Sequence, residues 1–170
     1  MKKSLFIIGY MGVGKSRIGQ KISRILNLPF IDSDQIIEQQ ENRSISEIFK
    51  TNGESYFRKL ETDFIKYFDF NTPCVVSCGG GLPCHANNLE IILENGNSLY
   101  LSMDFEKIIK KLKKNKTSRP MISSISEEEF YQKNKSLYLK RIQYYEQANF
   151  HLEANQMWKE QFLNEIYSKL

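Results

Sequence analysis

Gly9 to Ser16 read GYMGVGKS, a G-x-x-x-x-G-K-S pattern. Where such a run joins a strand to a helix, its backbone N–H groups can wrap a phosphate chain, and the helix N-terminus adds a positive dipole end. Gly12, Val13, Gly14, Lys15, Ser16 and Arg17 are therefore the candidate nucleotide contacts. Lys15 has the reach for β- and γ-phosphates, and the Ser16 hydroxyl suits a Mg²⁺ ion travelling with them. The competing reading is a glycine-rich turn with a chance lysine. The strand and helix expected on either side of the run disfavour it.

Asp32-Ser33-Asp34 supplies the acids. Asp32 is the best candidate for orienting Mg²⁺, through water, because this ion keeps part of its hydration shell. The later strand-like runs, Val75-Val76-Ser77-Cys78 and Leu99-Tyr100-Leu101, end in no acid. If the chain is still extended at Asp34, both side chains point the same way. One can then hold the metal shell while the other accepts a hydrogen bond from an acceptor hydroxyl. Either acid, or Ser33, could instead cap a helix opening at Gln35-Ile36-Ile37. Gly79-Gly80-Gly81 permits a close backbone approach, either to a substrate or simply in a turn.

The six arginines are Arg17, Arg24, Arg43, Arg58, Arg119 and Arg141, in a chain whose basic surface is mostly lysine. A planar guanidinium pairs bidentately with a carboxylate, which an ammonium cannot do. Arg58 borders an apolar helix face, and Arg141 sits late in a long helix. Arg119 precedes Pro120 in an aperiodic stretch, where a cation can cover a transferring phosphoryl group. Solvated surface charge is the alternative for each. The run Lys107 to Arg119 holds seven cations without interleaved aromatics, and reads as a solvated helix face rather than a nucleic-acid patch.

These residues need elements to hold them. Leu5 to Ile8 is a continuous apolar run, as in a strand buried on both faces. Ile18, Ile22, Ile25 and Leu26 then repeat at helical spacing, and Phe30-Ile31 leads to the acids. Ser44-x-x-Glu47 is a capping box, and Asn52-Gly53 is expected to stop its helix. A second helix carries Phe57, Leu60, Phe64, Ile65 and Phe68. Strands are expected at 74–78, 98–102 and, at an edge, 150–154. Helices are expected after Phe105, over 127–148, and at the end through Met157, Phe162 and Ile166. Residues 115–126 read as a surface loop. Strands alternating with helices imply a parallel sheet wrapped by helices, with ligands beyond the strands' carboxyl ends.

The chain has 170 residues, 41% hydrophobic and 26% charged, with a net charge of +4, enough for one domain with a sizeable core and no second unit. The apolar run near the start is too short for a signal-peptide core or a membrane span. Cys74, Cys78 and Cys84 form no C-x-x-C pair, so neither a disulfide framework nor a zinc knuckle is expected. A cytoplasmic protein is expected.

Taken together the chain resembles shikimate kinase. The resemblance is carried by GYMGVGKS at 9–16, DSD at 32–34, GESYFR at 53–58, GGG at 79–81, RP at 119–120 and RIQYYEQA at 141–148. It implies a nucleotide-monophosphate-kinase-like fold with a five-stranded parallel sheet in order 2-3-1-4-5. It implies transfer of the γ-phosphoryl of ATP to the 3-hydroxyl of shikimate with Mg²⁺, by a monomer that needs neither nucleic acid nor membrane. By resemblance, Lys15, Asp34 and Arg119 are catalytic, and Ser16 and Asp32 serve the metal. Asp34, Arg58, Gly80, Gly81 and Arg141 bind shikimate, the two arginines taking its carboxylate. Residues 34–61 would be the substrate-binding segment, and 113–125 a lid carrying Arg119 over the phosphates. The chain departs from the family's pattern at Lys110-Lys111, where an arginine often stacks on adenine, and at Gln143, where proline is common.

Three other readings compete. They are a kinase for another hydroxy acid such as gluconate, a non-catalytic nucleotide-binding module, and a phosphate-loop switch working through partners. The first gives no reason for D-x-D, G-E-x-x-F-R and G-G-G to occur together. The second, a shikimate-kinase-like module, would be favoured by loss of Lys15, Asp34 or Arg58, all of which are present. The third would hydrolyse slowly without an acceptor.

Overall fold

Four consecutive apolar residues place a strand at the middle of the sheet. In the computed structural model, which describes residues 3–116, 126–154, 166, 168 and 169, strand β1 (Leu5–Ile8) is fully buried. It lies between β3 (Val75–Ser77) and β4 (Asn97–Ser102), with Leu5 opposite both Val75 and Asn97. β2 (Phe30–Asp32) and β5 (Phe150–Glu153) are the edges, giving the parallel order β2-β3-β1-β4-β5. β5 alternates buried and exposed residues, as its period-2 pattern predicts.

Six helices flank this sheet among the described residues. They are α1 (Lys15–Leu26), α2 (Ser33–Glu41), α3 (Ile45–Lys66), α4 (Asn88–Asn95), α5 (Phe105–Lys116) and α6 (Glu127–Tyr145). α1 begins directly after Gly14 and ends at Asn27 in the left-handed region, while Ile22 and Leu26 face the core. α3 opens with the expected capping box: Ser44 and Glu47 satisfy each other's backbone N–H groups. A small second core of Ile37, Ile48 and Phe57 ties α2 to α3, apart from the main core on the sheet.

Asn52-Gly53 does break the helix: the φ of 80° and ψ of 174° at Gly53 are non-helical, so α3 is two helical stretches joined at a kink, the second carrying Phe57 and Leu60 as expected. Two expectations need correction. The extended chain ends at Asp32, so Asp34 stands in the first turn of α2 and not on a strand. The last long helix closes at Tyr145, short of Ala148. α4 escaped the sequence reading, although Leu89, Ile92 and Leu93 stand at i, i+3 and i+4 and pack on the core. Most of the expected loop at 115–126, Arg119 included, lies outside the described residues, as do Met157 and Phe162 of the expected terminal helix. Ile166 is buried.

Gly9 leaves β1 with φ 142°, and a Cβ there would lie 2.5 Å from the Leu101 carbonyl oxygen. Gly9→Ala therefore combines backbone strain with a backbone clash. We expect it to cost about 3 kcal/mol of stability, read as a lowered urea midpoint.

Candidate active site

The carboxyl ends of β1, β2 and β3 deliver the phosphate loop, the two acids and the glycine triplet to one rim. Two cavities adjoin there. One of about 380 Å³ is lined by Gly12, Gly14, Lys15, Ser16, Arg17 and Asp32 among others. The other, of about 480 Å³, is lined by Arg58, Glu61, Gly80, Gly81 and Arg141 among others. Met11, Gly12, Asp34, Gly79 and Gly80 line both. A third hollow of similar size, walled by Ile31, Leu60, Phe64 and Cys74, shares no residue with either and holds none of the candidate side chains.

In the first cavity the Lys15 ammonium is buried and donates to the carbonyls of Gly9 (2.9 Å) and Tyr10 (3.0 Å). Burial lowers its pKa, and Asp34 pushes it back up. Ser16 Oγ donates to Asp32 Oδ2 at 2.6 Å and lies 3.2 Å from Ser77 Oγ. Asp32 Oδ1 accepts from the Asp34 backbone N–H. Asp32 is thus both helix cap and partner of the Ser16 hydroxyl, so its two readings are compatible. The oxygens of Ser16 and Asp32 are hard donors of the kind Mg²⁺ takes, and they stand together at the phosphate loop. Val13 turns its side chain into the core, leaving only its backbone for a phosphate. Arg17 is exposed at the cavity wall.

Asp34 occupies the wall between the cavities. Burial raises its pKa, neighbouring Asp32 adds to the rise, and Lys15 opposes it. Its Oδ1 is buried without a hydrogen-bond partner, as is Oε1 of Glu61. Both atoms close on Gly79, where a Cβ would lie 2.5 Å from Asp34 Oδ1 and 2.9 Å from Glu61 Oε1. Position 79 is glycine because two carboxylates already fill the space.

The second cavity holds the two arginines. Arg58 Nη1 donates to Glu61 Oε2 at 2.6 Å, and its Nη2 and Nε donate to Glu54. Its guanidinium fills the volume that a Gly81 side chain would need. Arg141 is only 6% exposed, yet among the described residues it forms no ion pair. A buried guanidinium without a carboxylate is costly unless an anion is meant to reach it. Of the lysine-rich run, Lys113 pairs with Glu127.

Glu61 escaped the sequence reading. Its signal was the i, i+3 spacing from Arg58 on one helix face. Ser77 escaped it too, standing where an acid was sought. Burial pushes the Glu61 carboxyl up to about 7, against the pull of Arg58. Between pH 4.5 and 7 the folded chain therefore keeps a proton that the unfolded chain has lost, so stability falls as pH rises through that window. We expect Glu61→Gln to remove about 3 kcal/mol of this slope, measured by urea unfolding at pH 4.5 and 7.

Comparison with known proteins agrees with this geometry. The family model described as shikimate kinase matches residues 11–170. The chain belongs to the shikimate kinase family. Shikimate kinase of Sulfurihydrogenibium sp. is 34% identical over 99% of this chain and 98% of its own. That of Flavobacterium johnsoniae is 41% identical over 75% of each. Among solved structures, shikimate kinase from Acinetobacter baumannii, in complex with shikimate, has a TM-score of 0.79 and 27% identity, covering 99% of this chain and 90% of that one. A gluconokinase from Sinorhizobium meliloti, at 16% identity and a TM-score of 0.50 over 98% of this chain and 87% of its own, shares the fold alone. The chain is therefore a shikimate kinase, an ATP-dependent phosphotransferase of aromatic amino-acid biosynthesis. None of its described helices is long and apolar enough to cross a membrane.

Proposed function

We propose the following division of labour for transfer of the γ-phosphoryl of ATP to the 3-hydroxyl of shikimate. The phosphate loop from Gly12 to Arg17 holds the triphosphate in the first cavity, and Lys15 moves from its loop carbonyls to the β- and γ-phosphates. Ser16 and Asp32 would hold Mg²⁺, which when bound offsets phosphate charge. Shikimate enters the second cavity. Arg58 and Arg141 take its carboxylate, and the backbone of Gly80 and Gly81 lies alongside. Asp34 accepts the hydrogen bond of the 3-hydroxyl and takes its proton as that oxygen bonds to the γ-phosphorus and the bond from this phosphorus to the bridging oxygen breaks, releasing ADP. Arg119 covers the transferring group from the segment 113–125, and closure there excludes water that would otherwise consume ATP.

One observation carries this reading. The buried Arg141 guanidinium, in no ion pair among the described residues, opens into a cavity that Asp34 separates from the phosphate loop. A small anionic polyol fits such a cavity, with its carboxylate at one end and the reacting hydroxyl at the other. Phosphoryl transfer asks for this positioning and charge compensation more than for covalent chemistry.

Residues 1–170 act as one domain, with 34–61 as the substrate-binding segment. The working unit is the monomer, as the resemblance implies. Three free cysteines agree with a reducing cytoplasm. The test is ADP release from MgATP with and without shikimate. Strong stimulation by shikimate supports the proposal, and none, with MgATP still bound, overturns it.

A further inference from the structure

We propose that one face of α6 clamps the two glycine-rich loops together, with the hydroxyls of Tyr10 and Tyr145 as the clamping groups. These two tyrosines are positioning residues. They set where Arg141 stands relative to the phosphate loop, and the proposal rests on the shikimate kinase reading above.

Asn134, Tyr138, Arg141 and Tyr145 recur at i, i+4, i+7 and i+11 on α6 and so share one face. At one end of this face, Tyr10 of the phosphate loop reaches across with its hydroxyl 3.1 Å from both the backbone carbonyl and the side-chain Oδ1 of Asn134. Tyr10 is fully buried, and its ring packs edge-on against Tyr138. At the other end, the Tyr145 hydroxyl donates to the carbonyl of Gly80 at 2.6 Å. Tyr145 is also fully buried, stacked on Tyr100. Burial raises the pKa of both phenols, so both remain donors at working pH.

Arg141 stands between these two bonds in the series. A Gly80 Cβ would lie 3.7 Å from its Nη1 and 3.2 Å from the Met11 backbone nitrogen. Phosphate loop, glycine triplet and Arg141 thus meet within a few bonds of the clamp. Neither tyrosine lines either cavity, so each acts only through what it holds, which for Tyr145 is Arg141 as well as Gly80. The loops carry the donor and the acceptor contacts, and the clamp fixes their separation. An offset of about 1 Å between reacting groups can cost 100-fold in rate.

The test uses the full chain as wild type, Tyr145→Phe, Tyr10→Phe and Tyr138→Phe. The last keeps its ring but loses a hydroxyl that bonds to Tyr100 instead of a loop. Each is examined by steady-state kinetics and by amide hydrogen exchange of peptides covering 9–16 and 78–82. We expect Tyr145→Phe to raise the shikimate KM about fivefold, the effect of one buried hydrogen bond, with the ATP KM within about twofold. Its exchange should quicken at 78–82. Tyr10→Phe should lower kcat about fivefold and quicken exchange at 9–16. Tyr138→Phe should do neither. Unchanged exchange at both loops in the first two variants overturns the clamp, and so does an equal effect from Tyr138→Phe. The exchange readout decides the clamp even if the wild type shows no shikimate-dependent turnover, a result that would sink the kinase reading separately.

Discussion

Asp34→Asn binds MgATP as the wild type does and turns over shikimate about 1,000-fold more slowly, the loss expected when a positioned base is removed. The replacement is isosteric, and Oδ1 is already without a partner, so no existing hydrogen bond of that atom is broken. What disappears is the capacity to take a proton at the wall shared by the two cavities. Burial and Asp32 raise the pKa of Asp34, which makes its carboxylate a stronger base than an exposed one, while Lys15 keeps it ionisable. The ATP KM should stay within about twofold, since the phosphate contacts come from the loop. ADP release at saturating shikimate checks this. A loss smaller than about tenfold would reduce Asp34 to a hydrogen-bond acceptor and require another base.

The second large effect is at Arg141. Arg141→Met should raise the shikimate KM about 100-fold, the scale of a buried charge-assisted pair. It should do so without lowering thermal stability. A side chain that only supports the fold would give the opposite pattern. The argument is electrostatic. Among the described residues the Arg141 guanidinium has no ion-pair partner, and although the Tyr145 hydroxyl bonds to it, no carboxylate balances its charge at contact distance until an anion arrives. A methionine replaces the aliphatic stem with apolar surface and removes the cost of burying the charge. Arg58 differs, because Glu54 and Glu61 already hold it. Kinetics paired with a melting curve distinguishes the two roles. A fall in Tm with an unchanged KM would mean that Arg141 is structural.

Much of this was legible in the chain itself because its signals are local. Leu5 to Ile8 is apolar throughout because a central parallel strand has no solvent face. GYMGVGKS joins that strand to α1 because only a glycine-rich backbone makes the turn. Asp34, Arg58, Gly80, Gly81 and Arg141, which match the family's pattern, do line the cavities at the sheet's rim.

Other features depend on contacts between distant segments, and the tertiary structure alone decided them. The break at Gly53 was legible, but not that the helices on either side pack as one kinked unit, with Ile48 before the kink and Phe57 after it buried in one small core. Asp32 could be read as a cap or as a metal-site acid. Its two oxygens do both jobs once Ser16, sixteen residues earlier, is brought to 2.6 Å. Glu61 looks like any helix-surface acid until Gly79 packs against it and burial lifts its pKa. Local propensity and period determined which elements form and which residues can do chemistry. Burial, and with it the charge state of Asp34 and Glu61 and the pairing of Arg141, was set by chain crossings that leave no periodic trace in the sequence.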